Sequence, residues 1–211
     1  MKEIKSVKML EEFGRIRLSK SFFMRDFLYS EISQIEGIPN IPDNPELAIR
    51  TGTKLCEEVL EPIADRFGRI SIRSAYRSPA VNAKGAENKN QYNCSSNEHS
   101  FADHIWDYPE ANGTTGATAC IIVNAFIPYY EQTGQWQALA WWIHDHIPSY
   151  STQYYFPKMA VFNIGWHDKP EKWIKSHIPG SLGTLTNAEM GNFSGNHDDE
   201  YQAMLETIKP I

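Results

Sequence analysis

VLEPIADRFGRISIRSAYRSPAVN, residues 59–82, changes its apolar period halfway along. Leu55, Val59, Leu60, Ile63 and Phe67 recur at helical spacing, and Gly68 stops the run. Ile70, Ile72, Ser74 and Tyr76 then alternate with Ser71, Arg73 and Ala75, the two-residue period of a strand. A helix feeding directly into a strand therefore lies at the centre of the fold. Upstream, GIPNIPDNP (37–45) is a proline-punctuated loop. It ends with Asn44 placed to cap a helix and Pro45 at the first helical position, where a missing N–H costs nothing. LSKSFFMRDFLYSEIS (18–33) reads as a cap followed by a short amphipathic helix.

Downstream, residues 79–115 are rich in Asn, Ser and Gly and read mostly as loop; long loops in compact domains are usually functional. ATACIIVNAF (117–126) is an apolar run of strand length, and GQWQALAWWIHDHIP (134–148) is a helix stopped by Pro148. QYYFPKMAVFNIGWHD (153–168) supplies one or two strands broken by Pro157, and DDEYQAMLETI (198–208) a short terminal helix. Helices, strand, loop, strand, helix and strands in that order predict an α+β fold with a small antiparallel sheet flanked by helices. The expected organisation is a single domain over 1–211, with an N-terminal helix and Pro-rich loop at 1–45 and a tail at 179–211.

The 211 residues suffice for one core, and 41% apolar residues exclude a disordered chain. No apolar run reaches the roughly 20 residues of a membrane helix, so no membrane partner is expected. A net charge of −6 argues against nucleic acid, which selects basic surfaces. The charge-scattered N-terminus has no secretory h-region. Cys56, Cys94 and Cys120 fit no disulfide framework, and a cytoplasmic, reducing location is expected. The sequence leaves the oligomeric state open.

HSFADHIWD (99–107) crowds two histidines and two aspartates into nine residues. On a helical turn His104 and Asp107 would share one side and could share a metal; a loop histidine bonded to a carboxylate is the plainer alternative. Cys120 is a thiolate ligand or a small core residue. The His144–Asp145–His146 cluster completes a helix C-terminus, where histidines favour the dipole, or serves catalysis. Arg77, flanked by Tyr76 and Ser78, is a structural ion-pair partner or a substrate clamp. Trp141, Trp142 and Trp166 read as core or pocket wall.

Three stretches resemble the M15 family of zinc D-Ala-D-Ala carboxypeptidases and phage endolysins, whose fold is that of the Hedgehog signalling domain. They are LSKSFFMRDFLYSE with IPNIPDNPEL, the 59–82 block against the family's "S-G-Y-R-S-…-N", and FNIGWHDKP against its "W-(I/V)-H" strand. The resemblance covers about two-thirds of the chain. It implies a Hedgehog/DD-peptidase-like fold, one zinc ion, and a peptidoglycan peptide with a free C-terminal carboxylate as substrate. Arg77, with Ser78, matches the carboxylate-gripping position, and His167 matches the last zinc ligand.

The family's S-x-H-x-x-G-x-A-x-D departs here. Read literally, His99 and Asp107 stand eight apart with Ala102 at the glycine. Aligned on the strand, Gly116–Cys120 takes the G-x-A-x-D register, with Cys120 at the aspartate and His104 across an insertion. The second register gives the ligand set His104, Cys120 and His167, while His99 remains an alternative to His104. The general base of the family stands three residues before the last ligand, where this chain has Ile164. Asp107, Asp145 and His144 are the remaining candidates. Release by lysis, as for a phage endolysin, would bring such an enzyme to cell walls. The departures equally suit a rebuilt or inactive scaffold acting as a binding module or a different hydrolase.

Overall fold

A computed structural model describes residues 4–87 and 91–209. The fold is α+β, and its chain divides into two compact units. The first comprises the described residues of 1–57 and 74–119, the second 58–73 and the described residues of 120–211.

In the first unit, α1 (Val7–Gly14) starts at Ser6, whose hydroxyl accepts the Met9 N–H. A 3₁₀ turn at Met24–Phe27 and α2 (Glu31–Glu36) replace the single helix expected over 18–33. Ser30 caps α2 and Gly37, at φ +66°, closes it in the left-handed conformation. α3 (Pro45–Leu55) begins as the sequence predicts, with the Asn44 side chain accepting from Leu47 N–H and Pro45 in the first turn. A helix that the sequence reading assigned to loop, α5 (Pro79–Glu87), buries Val81, Asn82 and Gly85. The core of this unit is aromatic: the Trp106 ring lies 5.3 Å from Phe27 and 6.0 Å from Tyr76, and all three are fully buried. Trp106 is also held by its indole N–H on the Thr118 carbonyl and by Thr51 Oγ1 donating to its own carbonyl.

In the second unit α4 (Glu61–Phe67) follows a π-helical turn at Cys56–Leu60, and Gly68 ends it. β1 (Ile70–Ser74) and β2 (Gly116–Val123) stand where the apolar patterns put them. The boundary between the units falls within β2, after Ala119. α6 (Ile127–Thr133) and α7 (Gln137–His146) precede β3 (Tyr150–Tyr155), β4 (Phe162–His167), β5 (Trp173–Ser176) and β6 (Gly183–Thr186), and α8 (Asp198–Thr207) ends the fold. Phe67 meets Trp142 edge-on at 4.6 Å, and Tyr155 stacks on Phe162 at 4.6 Å.

The sheet corrects the expected small antiparallel one. It has six strands in the order β1-β2-β4-β3-β5-β6 and is mixed. β3 pairs antiparallel with β4 but parallel with β5. The cause lies in the link at 168–172. β4 finishes beside the start of β3, with Trp166 opposite Tyr150, and the chain hops over that end to begin β5 with Trp173 opposite Thr152. Lys172 makes the hop with a left-handed backbone, φ +53°. The Ser151 hydroxyl anchors it by accepting the Glu171 N–H.

Candidate functional site

The Tyr76–Arg77–Ser78 segment leaves β1 and enters α5, and the backbone N–H groups of all three residues are hydrogen-bonded. Asn40, buried, donates from Nδ2 to the Tyr76 carbonyl at 2.9 Å and to the Leu28 carbonyl at 3.0 Å; its Oδ1 accepts the Ser78 N–H at 2.7 Å. It thus clamps the backbone on both sides of Arg77. Arg77 N–H donates to the His104 carbonyl at 2.8 Å, and His104 Nδ1 donates to the Ala75 carbonyl at 2.7 Å. The backbone of 75–77 and His104 therefore hold each other in place, one bond running from the Arg77 N–H to the His104 carbonyl and the other from the His104 ring to the Ala75 carbonyl. A histidine whose Nδ1–H is fixed on a carbonyl has its other nitrogen fixed in tautomer and direction, the arrangement found behind metal-ligating imidazoles.

The Arg77 guanidinium has no carboxylate partner among the described residues. Its Nη1 donates to Cys94 Sγ at 3.2 Å, and its Nε is buried with no acceptor. A buried N–H left unbonded costs about 1–3 kcal/mol, more when it carries charge. Burial, then the Arg77 charge, pushes the His104 imidazole down to about 4, so it is neutral at pH 7.

The other predicted residues of this unit are structural in their bonding. Ser78 Oγ accepts the Val81 N–H and donates to the Pro39 carbonyl, which makes it the cap of α5. Asp107 is buried and its Oδ2 accepts from Asp43 N–H (2.8 Å) and Asn44 N–H (3.1 Å). Its Oδ1 accepts from the Tyr76 hydroxyl at 3.1 Å. It anchors the start of α3 to Tyr76. His99 is exposed and bonded to Ser96, so burial separates it from His104. Ala102, at the glycine of the resembling motif, adopts φ +55°, a conformation that glycine takes without cost.

Cys120 and His167 belong to the second unit. Cys120 is the one residue of β2 that is not fully buried. His167 closes β4 with its Nε2 buried and without a hydrogen-bond partner. A desolvated imidazole nitrogen in that state suits a metal ligand, and thiolate with two imidazoles is a zinc donor set. Among the described residues, however, no group of three or more His, Cys, Asp or Glu side chains is assembled to hold a metal.

The α7 cluster is also bonded throughout. His144 Nε2 donates to the Phe193 carbonyl at 2.8 Å and Nδ1 accepts from the Tyr150 hydroxyl at 2.5 Å, while burial lowers its proton affinity. Asp145 accepts from His197 Nδ1 at 2.7 Å and from His197 N–H at 3.1 Å. His197 stacks on Trp141 at 3.9 Å, His146 stacks on Trp142 at 4.7 Å, and Trp166 donates to Glu58 at 2.7 Å; all three tryptophans are buried. Sequence reasoning missed Asn40, His197 and Lys172. Asn40 stands in the proline loop, inside the stretch IPNIPDNPEL that resembles the "N.P" segment, and that resemblance was the one signal that could have found it.

Comparison with protein-family models, with curated proteins and with solved structures finds no match to this chain. Among the described residues no helix is long and apolar enough to cross a membrane.

Proposed function

We propose that this protein is a zinc peptidase of the M15 type, with a Hedgehog-like fold, acting on peptidoglycan peptides that end in a free carboxylate of the D-Ala-D-Ala class. Arg77 carries the proposal. A guanidinium on a clamped backbone that lacks a carboxylate counterion among the described residues, with a buried Nε facing no acceptor, is prepared for a carboxylate from outside. In this account His104, Cys120 and His167 hold the zinc, and the orphaned His167 Nε2 supports that role. Bound zinc would supply a polarised scissile carbonyl and a water acidic enough to ionise near neutral pH. Asn40 and His104 keep Arg77 from moving as the peptide terminus docks. Cytoplasmic accumulation with release by lysis belongs to the same proposal.

A second reading has its own observation. Asp107, Asp145 and His144, the candidate bases, each commit their acceptor atoms to internal hydrogen bonds. That favours a rebuilt scaffold that binds carboxylate-ended peptides, or hydrolyses another bond, without the family's proton transfer.

Incubation with a muropeptide ending in D-Ala-D-Ala separates the two. The peptidase reading expects D-alanine release that a chelator abolishes and that Arg77→Lys weakens mainly through KM. Peptide binding without any release, with and without added zinc, would overturn it in favour of the binding module.

A further inference from the structure

Lys172 carries two costs in one residue. Its backbone sits at φ +53°, where a residue with a side chain is strained by about 1 kcal/mol or more. Its ammonium is half-buried, and burial lowers its proton affinity against the opposing pull of Asp145. Yet it has no carboxylate within ion-pair range among the described residues. Its protein contacts are a long 3.4 Å approach to the His144 carbonyl and a position 5.1 Å from the centre of the Tyr150 ring.

Lys172 lines a cleft of about 450 Å³ in the second unit, together with His144, His146, Phe193, Gly195 and Tyr201. Asp145 and Asp198 line it too, but their oxygens are engaged elsewhere. Asp145 accepts from His197; Asp198 accepts from the Tyr201 hydroxyl at 2.6 Å and Asn196 Nδ2 at 2.7 Å. The cleft thus holds a cation with no carboxylate partner among the described residues, beside two carboxylates whose oxygens are engaged by other groups. A half-buried ammonium that lines a cleft and has no carboxylate partner among the described residues is explained by a ligand that pairs with it.

We propose that this cleft binds the carboxylate of a small ligand, with Lys172 as its counterion. The two aspartates rank the anions. Their repulsion doubles from a singly charged carboxylate to a phosphate dianion, because it scales with the product of charges, so the less charged anion is the better fit beside Lys172. The volume suits a ligand of amino-acid or short-peptide size, and the Phe193 ring offers it an apolar wall. This site is independent of the Arg77 reading and stands or falls without it.

The test is a titration of ¹⁵N-labelled protein with sodium acetate, followed at the amides of Phe193, Gly195 and Asn196. Sodium chloride at equal ionic strength is the reference, and inorganic phosphate is the rival anion. We expect saturable shifts with acetate in the wild type and affinity reduced about tenfold or more in Lys172→Asn. Asparagine tolerates the left-handed backbone, so the fold persists; Lys172→Gly, which suits that φ fully, repeats the test should Lys172→Asn unfold. Lys172→Arg, which keeps the charge, should stay within about threefold of the wild type. Shifts that follow chloride without saturating, shifts unchanged by losing the ammonium, or tighter binding of phosphate than acetate would each overturn the proposal.

Discussion

Asp107 accepts three hydrogen bonds and is buried, and these two facts act on its proton in opposite directions. Burial wins and raises its proton affinity, with the bonds from Asn44, Tyr76 and Asp43 pulling the other way. Its main work is therefore mechanical. Asp107→Asn turns an acceptor into a partial donor against the Asp43 and Asn44 N–H groups, and should cost about 2 kcal/mol in urea unfolding. Tyr76→Phe removes one of the three bonds and should cost about 1 kcal/mol.

His104 gives a pH signature. Its folded-state value near 4 lies below the ordinary 6.5, so the folded protein binds fewer protons than the unfolded chain between them. Its contribution is complete above about pH 6.5 and is lost as pH falls toward 4, amounting to roughly 2–3 kcal/mol. Urea midpoints of chelator-treated protein across that range should show this slope. It should flatten in His104→Asn, whose amide still reaches the Ala75 carbonyl. Arg77 and His104 were legible in the sequence because they sit in short local patterns. Asn40 was not, because its partners at Tyr76 and Ser78 lie 36 and 38 positions away.

At the scale of elements, the helices and strands that the sequence exposed are α3, α4, α7, β1 and β2, together with α8 and the two strands β3 and β4 on either side of Pro157. β5 and β6 are four residues each, too short for alternation to register, and α5 buries Asn82 and Gly85 where an apolar stripe would be sought. Gly52 in α3 shows tertiary packing overruling propensity. A Cβ there would lie 2.8 Å from Trp106 Cζ3 and 3.2 Å from Leu18 Cδ1. Gly52→Ala would gain about 1 kcal/mol of helix propensity but force a buried indole to move, a cost of about 1–3 kcal/mol. A net loss, seen as a lower midpoint of thermal unfolding, is expected; a gain would mean that the Trp106 pocket is looser than its full burial implies.

For the molecule as a whole, fold class was readable from the order of elements, but the mixed sheet was not. The parallel pairing of β3 with β5 depends on where a five-residue link crosses a strand end, which no periodicity encodes. The metal proposal is likewise a whole-chain property, because its three ligands come from segments far apart in sequence. A zinc ion bound only by the folded form must stabilise it by mass action, so the thermal midpoint should rise with free zinc and fall with a chelator.

The most direct measurement is the zinc bound per chain after equilibration with excess metal and removal of the loosely held fraction. It would be compared between the wild type, His104→Asn and His167→Ala. The account predicts about one equivalent in the wild type and far less in both variants. A folded wild type that retains no zinc, or variants that retain as much as it does, would contradict it.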